Sequence, residues 1–199
     1  MLRKVIGDRT EGVLLRLVPL LQRHHVTPNA LTLSGLVINA VAAYCYYRGL
    51  MATAGCVILF AGLFDMLDGV LARAGGSATR IGAFTDSVAD RYSDFFMFGG
   101  ILAFFAKDGD LARTLLVLII LCGAFLVSYT RARAELVIPR CAVGLMERPE
   151  RIILLAAGSI FGFFNITLWL LAVLTHLTAF YRIYYTFKTD RASSEVPAR

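Results

Sequence analysis

The stretch AGLFDMLDGVLARAGGSATRIGAFTDSVADRYSDFF, residues 61–96, decides the fold because it places acidic residues inside two long apolar segments. Asp65 and Asp68 are three residues apart and Asp86 and Asp90 are four apart, so each pair shares one face of a helix. A glycine-rich turn separates the two pairs. The pattern predicts two antiparallel neighbouring helices whose four carboxylates converge at one depth.

The composition of the whole chain favours a membrane protein. Of its 199 residues 58% are hydrophobic and 17% charged, with a mean hydropathy of +0.69, whereas soluble domains carry about 25% charged residues. Because one crossing takes about 20 apolar residues, we predict an all-α integral membrane protein with six transmembrane helices. The predicted spans are residues 31–47, 51–72, 82–105, 111–132, 151–164 and 167–187.

The first 24 residues differ from the rest in composition. Charges recur among their apolar residues, which excludes a cleavable signal peptide and predicts an amphipathic helix on the cytoplasmic membrane surface. An ordinary packed helix before the first span is the alternative. The chain is therefore divided into a juxtamembrane helix, residues 1–24, and a six-helix membrane domain, residues 25–199.

The basic residues indicate one orientation. With the amino terminus inside, 16 of the 20 Lys and Arg residues lie on the cytoplasmic side, three lie outside and Arg91 lies within a span. Both termini and the acidic cluster are then cytoplasmic, in a multi-pass protein of the cell membrane. The net charge of +6 comes from basic residues placed where anionic headgroups and phosphorylated substrates would be met. It therefore implies no nucleic-acid partner.

The four aspartates carry a cost that a metal site would relieve. Each Asp at the centre of a span costs about 2.5 to 3.5 kcal/mol, and two divalent cations would balance their four negative charges. Oxygen-only ligands favour Mg²⁺ or Mn²⁺, and a metal pair is typical of displacement at phosphorus. The alternative is a purely structural role, in which the aspartates pair with Arg73, Arg80 and Arg91. Asp94 shares the face of Asp86 and Asp90 and suits either a supporting position or a pairing with Arg.

Two other functional classes are compatible with acidic membrane helices. Intramembrane prenyl transfer also uses Asp-rich helices and Mg²⁺, but it predicts more spans. Cation or proton transport would use the carboxylates to conduct ions.

The full pattern Asp65-x2-Asp68-Gly69-x2-Ala72-Arg73-x8-Gly82-x3-Asp86-x3-Asp90 resembles the signature of the CDP-alcohol phosphotransferase family at every fixed position. The resemblance implies transfer of a substituted phosphate from a CDP-linked lipid, CDP-diacylglycerol, to an alcohol, with release of CMP. It further implies that all four aspartates bind two Mg²⁺ or Mn²⁺ ions and that Asp90 is also the general base.

The same resemblance implies a binding site for the CDP-lipid. Residues 27–32 are similar to the family's P-N-x-L-T entry to the first span, although helix capping explains the same residues. The implied donor contacts are Pro28, Asn29, Leu31, Gly69, Ala72, Arg73 and Thr79.

Residues 128–155 point to the acceptor. Their pattern S-Y-x-R-A-R-A-E followed by G-L-x-E-R-P-E-R resembles the phosphatidylinositol phosphate synthases and their archaeal-lipid relatives. The resemblance implies a phosphorylated polyol acceptor, inositol 1-phosphate, held by Arg131, Arg151 and Arg182, in a homodimer. Glycerol 3-phosphate and serine are the alternative acceptors, and a topology anchor of paired charges is the alternative explanation of the arginines.

Overall fold

The computed structural model describes residue 12 and residues 14–76 and 79–194. Within these ranges the chain forms helices and turns, and no strand is found. The all-α class is therefore confirmed. In chain order the helices are α1 (Val18–Arg23), α2 (Pro28–Tyr47), α3 (Met51–Ala74), α4 (Arg80–Lys107), α5 (Leu111–Ala134), α6 (Arg148–Ile160) and α7 (Phe164–Ser194).

Four of these helices are long and apolar enough to cross a membrane: α2, α3, α5 and the part Phe164–Arg191 of α7. Helix α4 has 28 residues, but Asp86, Asp90, Arg91 and Asp94 interrupt its apolar sequence. Helix α6 has 13 residues, which span about 20 Å at about 1.5 Å per residue, less than the roughly 30 Å of a bilayer core. The structure thus supports a multi-pass helical protein, while six complete spans stay a prediction.

The turn between the last two helices lies earlier than the sequence suggested. The predicted spans 151–164 and 167–187 place it at residues 165–166, but α6 ends at Ile160 and α7 begins at Phe164. Gly162 has a φ of +82°. Glycine adopts this backbone conformation at little cost, whereas a residue with a side chain, such as the phenylalanines on either side, would be strained in it. The boundary follows this glycine, whose role the hydropathy of the segment does not reveal.

One apolar core holds the six long helices together. Each of them contributes a side chain that is at most 1% exposed: Tyr46, Ile58, Phe98, Ile120, Leu155 and Leu168. Helix α2 packs against α3 and α4, α3 against α6, α4 against α5, and α7 against α5 and α6.

The predicted direct packing of the two acidic helices is wrong. Among the helices that the structure describes, α3 and α4 are not a closely packed pair, and each packs against α2 instead. Like charges on the facing sides of α3 and α4 disfavour direct contact, whereas α2 presents small residues to both. Consequently a cleft remains between the helices that carry the carboxylates.

The predicted surface helix lies partly outside the described residues, since nothing is described for residues 1–11. In the described part, Leu14 and Val18 are each 5% exposed and pack against Leu31, Val70 and Leu71 of the membrane helices. This segment therefore packs on the helical domain along one side.

Gly100 and Gly99 provide a matched test of the α2–α4 contact. A Cβ atom at Gly100 would collide with the carbonyl oxygen of Ala43, whereas one at Gly99 would meet nothing within 4 Å. We expect Gly100→Ala to lower stability by about 1–3 kcal/mol through overpacking. Gly99→Ala should be neutral or stabilising, because alanine favours the helix by up to about 1 kcal/mol. Thermal unfolding in detergent measures both, and equal melting temperatures would contradict the packing described.

Candidate active site

The candidate site lies at the end of the bundle where α2, α4 and α6 begin and α3, α5 and α7 end. Contacts across helices define this end. The hydroxyl of Thr32 in α2 donates to Asp68 Oδ2 of α3 at 2.5 Å, and Arg148 Nη1 of α6 donates to Asp65 Oδ2 of α3 at 2.5 Å. Residues far apart in sequence therefore meet at one depth.

The four signature aspartates converge as the spacing predicted. Asp65 and Asp86 both repel Asp68, and both also repel Asp90. Asp68 is 5% exposed, and the side chains of Asp65 and Asp90 are 16% and 22% exposed. All four carboxylates thus belong to one electrostatically coupled cluster in a partly buried cleft.

Gly35 of α2 makes room for this cluster. A Cβ atom at Gly35 would lie 2.9 Å from Oδ1 of Asp65, closer than real contacts of this kind. The absence of a side chain at this position therefore allows α2 to pack beside α3 while the Asp65 carboxylate stays in the cleft.

Arg148 lies at the centre of the cluster. Its Nη1 atom is 2.5 Å from Asp65 Oδ2 and 2.5 Å from Asp90 Oδ1, so one guanidinium group joins the two acidic helices. As placed, the described His, Cys, Asp and Glu side chains form no group of three or more arranged to hold a metal ion. A cation at the first turn of α6 opposes the helix dipole, so the two carboxylates compensate for an otherwise unfavourable position.

Asp94 connects this cluster to a second one. Its Oδ2 atom accepts a hydrogen bond from Arg151 Nη2 at 2.6 Å, and both side chains are almost fully buried, at 4% and 1% exposure. Its Oδ1 atom lies 3.9 Å from Arg148 Nε. Asp94 Oδ1 and Arg148 Nε are both buried, and neither has a hydrogen-bond partner among the described residues.

The second cluster is basic and contains the arginines that the sequence assigned to the acceptor. Glu147 Oε1 lies 2.9 Å from Arg182 Nη2 and 3.5 Å from Arg131 Nη1, so one carboxylate oxygen serves two arginines. Arg182 also donates to the carbonyl oxygens of Val127 and Val143, at 2.6 and 2.8 Å. Arg182 is 1% exposed, whereas the Arg131 side chain is 38% exposed. Of the pair on Glu147, Arg131 is therefore the more accessible.

Of the predicted donor residues, Gly69, Ala72 and Arg73 lie near the end of α3, and the others lie at the starts of two further helices, α2 and α4. Thr27 and Thr79 cap these helices by accepting hydrogen bonds from the backbone N–H groups of Ala30 and Gly82, at 3.2 and 3.0 Å. The capping explanation of residues 27–32 is thereby confirmed as a structural role, and Pro28 occupies the first helical position.

Gly69 lies beneath the predicted diphosphate ligand Arg73. A Cβ atom at Gly69 would lie 3.2 Å from Arg73 Nη1, so the guanidinium group extends over the bare backbone of α3. Ala72, another small residue of the signature, precedes Arg73 and is partly buried. Leu31, by contrast, is 6% exposed and belongs to the apolar cluster with Val70, which leaves it a packing role.

An apolar cavity of about 210 Å³ adjoins the acidic cluster between α2 and α4. Asn29 is the predicted donor residue that lines it. The remaining lining residues are Thr32, Leu33, Leu36, Thr85, Val88, Ala89 and Tyr92.

Three participants were missed at the level of sequence: Thr32, Glu147 and Arg148. All three lie inside motifs that were recognised: Thr32 in P-N-x-L-T, and Glu147 and Arg148 in E-R-P-E-R. Their neighbourhood in sequence therefore pointed to the site, while their partners Asp68, Asp65 and Asp90 lie on other helices.

Comparison with known proteins agrees with the site. An archaetidylinositol phosphate synthase of Pyrococcus horikoshii is 38% identical over 160 residues, covering 80% of this chain and 82% of the relative. A phosphatidylinositol phosphate synthase of Mycobacterium marinum is 37% identical over 188 residues, covering 87% of this chain and 79% of the relative.

Solved structures show the same fold. The Mycobacterium tuberculosis phosphatidylinositol phosphate synthase with CDP-DAG bound has a TM-score of 0.81 at 32% identity, covering 88% of this chain and 94% of that chain. The same enzyme in complex with manganese and citrate gives 0.80 at 34% identity, covering 87% and 88%.

A family sequence profile covers most of the chain. It matches residues 25–181, which include the complete aspartate signature and the arginine-rich segment. The chain belongs to the CDP-alcohol phosphatidyltransferase family.

Proposed function

We propose that the chain transfers a phosphatidyl group from CDP-diacylglycerol to inositol 1-phosphate, with release of CMP. The observation that carries the proposal is the placement of an acidic cluster and an arginine cluster at one end of the bundle, linked through Asp94. Chemically, the first cluster suits cations and a diphosphate, and the second suits a phosphorylated acceptor. Membership of the family favours phosphotransfer over the cation transport and prenyl transfer that acidic helices alone also allow.

Asp65, Asp68, Asp86 and Asp90 fit a pair of divalent cations. They offer carboxylate oxygens only, the donor set that Mg²⁺ and Mn²⁺ prefer, and the M. tuberculosis relative was crystallised with manganese. Arg148 supports the fit, because two of the four carboxylates already hold its positive charge between them. When bound, the metal ions would neutralise the diphosphate and the departing CMP.

The donor site extends from the starts of α2 and α4 into the neighbouring apolar cavity. We assign the diphosphate to the vicinity of Arg73, whose guanidinium group suits phosphate oxygens and extends over Gly69. Asn29 and Thr79 flank this region, and the cavity that Asn29 lines has the apolar character needed by the start of a lipid tail. The CDP-DAG bound to the M. tuberculosis enzyme supports this donor.

Asp90 would act as the general base. In the reaction its carboxylate takes the proton of the acceptor hydroxyl while the hydroxyl oxygen attacks the phosphorus that carries the diacylglycerol. The bond from that phosphorus to the bridging oxygen then breaks, and the electron pair leaves with CMP. Asp90 contacts Arg148, whose Nε atom lies 3.9 Å from Oδ1 of Asp94, the partner of Arg151, so the base would stand close to the proposed acceptor site.

The acceptor phosphate would bind at the arginine cluster. One carboxylate oxygen of Glu147 lies near both Arg131 and Arg182. This contact supports a site for an anionic oxygen between the two arginines. Arg151, bound to Asp94, lies on the side nearer the acidic cluster. A phosphate replacing the Glu147 carboxylate would thus sit beside the reacting groups, with its alcohol toward Asp90.

We further propose the membrane arrangement implied by the distribution of charge. Helices α2 to α7 all cross or enter the bilayer. The charged ends of α4 and α6 lie at the candidate site. This site and both termini face the cytoplasm. Residues 1–24 would lie along the inner leaflet, and a homodimer is the expected assembly. Helix α4 fits this placement because it packs against α2 and α5 and because Asp90 and Asp94 pair with Arg148 and Arg151 of α6.

Replacing Asp90 by Asn tests the base. Asp90→Asn keeps the shape of the side chain but removes its proton acceptor, so CMP release should slow by about a hundredfold or more. Binding of CDP-diacylglycerol, measured by its thermal stabilisation of the protein, should change little. Asp110→Asn, at the opposite end of the bundle where Asp110 pairs with Arg113 at 3.0 Å, is the control. Near-normal turnover in Asp90→Asn would remove Asp90 from the chemistry.

Arg131 permits a test of the acceptor site that does not depend on a fully buried residue. Arg131→Gln should raise the KM for the phosphorylated acceptor by about tenfold, the loss expected for a hydrogen bond to a charged group, and leave the KM for CDP-diacylglycerol unchanged. Arg133→Gln removes the same charge from an exposed position two residues along α5 and should alter neither. An equal rise in both KM values would contradict a dedicated acceptor site.

The identity of the acceptor is tested by comparing three alcohols. Purified protein with labelled CDP-diacylglycerol and Mg²⁺ is given inositol 1-phosphate, glycerol 3-phosphate or serine in parallel. We expect CMP release and a new labelled lipid with inositol 1-phosphate, and far less with the other two. Product formation from glycerol 3-phosphate or serine but not from inositol 1-phosphate would replace the proposed acceptor.

A further inference from the structure

Arg148 occupies the position that a ligated cation would need. Its Nη1 atom is 2.5 Å from one oxygen of Asp65 and 2.5 Å from one oxygen of Asp90. Because Nη1 already lies between these two oxygens, a divalent cation that they bind, at about 2.1 Å from each, would meet a positive charge at close range. The guanidinium group and such a cation therefore exclude each other.

A second position for Arg148 is already formed beside the first. Arg148 Nε and Asp94 Oδ1 are buried, oppositely charged and 3.9 Å apart, and each is without a hydrogen-bond partner among the described residues. Two unsatisfied buried groups of opposite sign are costly. A shift of about one ångström would bring them within hydrogen-bond distance, and Asp94 would then bind Arg148 and Arg151 together.

We propose that Arg148 is an internal counter-cation with two positions, one on Asp65 and Asp90 and one on Asp94, and that divalent cation binding moves it from the first to the second. The inference rests on the proposed metal ligands, since it assigns Asp65 and Asp90 to both cations. Arg148 is thus a positioning residue, which contacts no reacting atom in this role.

The exchange has two consequences for binding. Arg148 competes with the divalent cation and so lowers its affinity, while Asp94 assists the cation by accepting the displaced guanidinium group. Because Asp94 also holds Arg151, cation binding and the proposed acceptor site become coupled, and such coupling is reciprocal.

A double-mutant cycle measures the exchange directly. Mn²⁺ binding to purified protein in detergent is followed by electron paramagnetic resonance for the wild type, Arg148→Gln, Asp94→Asn and the double variant. We expect Arg148→Gln to tighten Mn²⁺ binding on the order of tenfold, and Asp94→Asn to weaken it several-fold, typical of allosteric coupling. In the Arg148→Gln background, Asp94→Asn should change the affinity by less than about twofold, the limit of additivity for independent sites.

Each alternative gives a different result. If Arg148→Gln leaves Mn²⁺ affinity unchanged or weakens it, Arg148 does not compete and the inference is wrong. If Asp94→Asn weakens binding equally with and without Arg148, Asp94 acts on the cation through space, and the second position is wrong. Arg133→Gln, which removes one positive charge from the same end of the bundle, is the matched control and should change the affinity little.

Two further variants separate this inference from the proposed function. Asp86→Asn should weaken Mn²⁺ binding strongly, because Asp86 is a proposed ligand, whereas Arg148 joins Asp65 and Asp90; if Asp86→Asn binds like the wild type, the metal site itself is wrong. Arg148→Lys keeps the charge and the fold but has no planar fork to join two carboxylates. Its Mn²⁺ affinity should lie between those of the wild type and Arg148→Gln, and an affinity below the wild type would oppose the exchange.

Discussion

The structure depends on the gathering of carboxylates in a partly buried cleft, an arrangement that is costly in a membrane protein without positive charge beside it. Four aspartates repel one another there, and each would cost about 2.5 to 3.5 kcal/mol in the centre of a bilayer. Arg148 supplies part of the compensation by joining Asp65 and Asp90. It comes from the first turn of α6, a helix of 13 residues.

Helix α2 gives the cleft its width. It packs against both α3 and α4, which do not pack closely against each other in the described structure. Glycines make this possible, since Gly35 leaves room for Asp65 and Gly100 allows the backbone of α2 to approach α4. The spacing keeps the carboxylates near enough to interact, and in the proposed function cations and a diphosphate would bind between them.

Sequence alone predicted the features that depend on local spacing. Periodicity placed Asp65 with Asp68 and Asp86 with Asp90, hydropathy located the helices, and the capping role of Thr27 followed from its position before Pro28. The packing of α3 and α4 against α2 was not predicted, because helical periodicity assigns a residue to a face without identifying the helix that the face contacts. For the same reason Arg148 was recognised only as part of a motif, while its role arises from partners 83 and 58 positions earlier in the chain.

The arginine cluster follows the same rule as the acidic one, with the signs exchanged. Arg182 and Arg131 share Glu147, and Arg151 is bound to Asp94, so buried cations have internal anions just as the aspartates have Arg148. Burying any of these charges alone would cost several kcal/mol. In the proposed function, substrate binding at this end of the bundle is an exchange of partners, in which a phosphate or a metal ion takes the place of an internal group of the same sign. Because each ligand would take a place that an internal group of the same sign already holds, a ligand of the wrong sign or of no charge would leave the internal pair intact and gain little, which would give the site selectivity by charge.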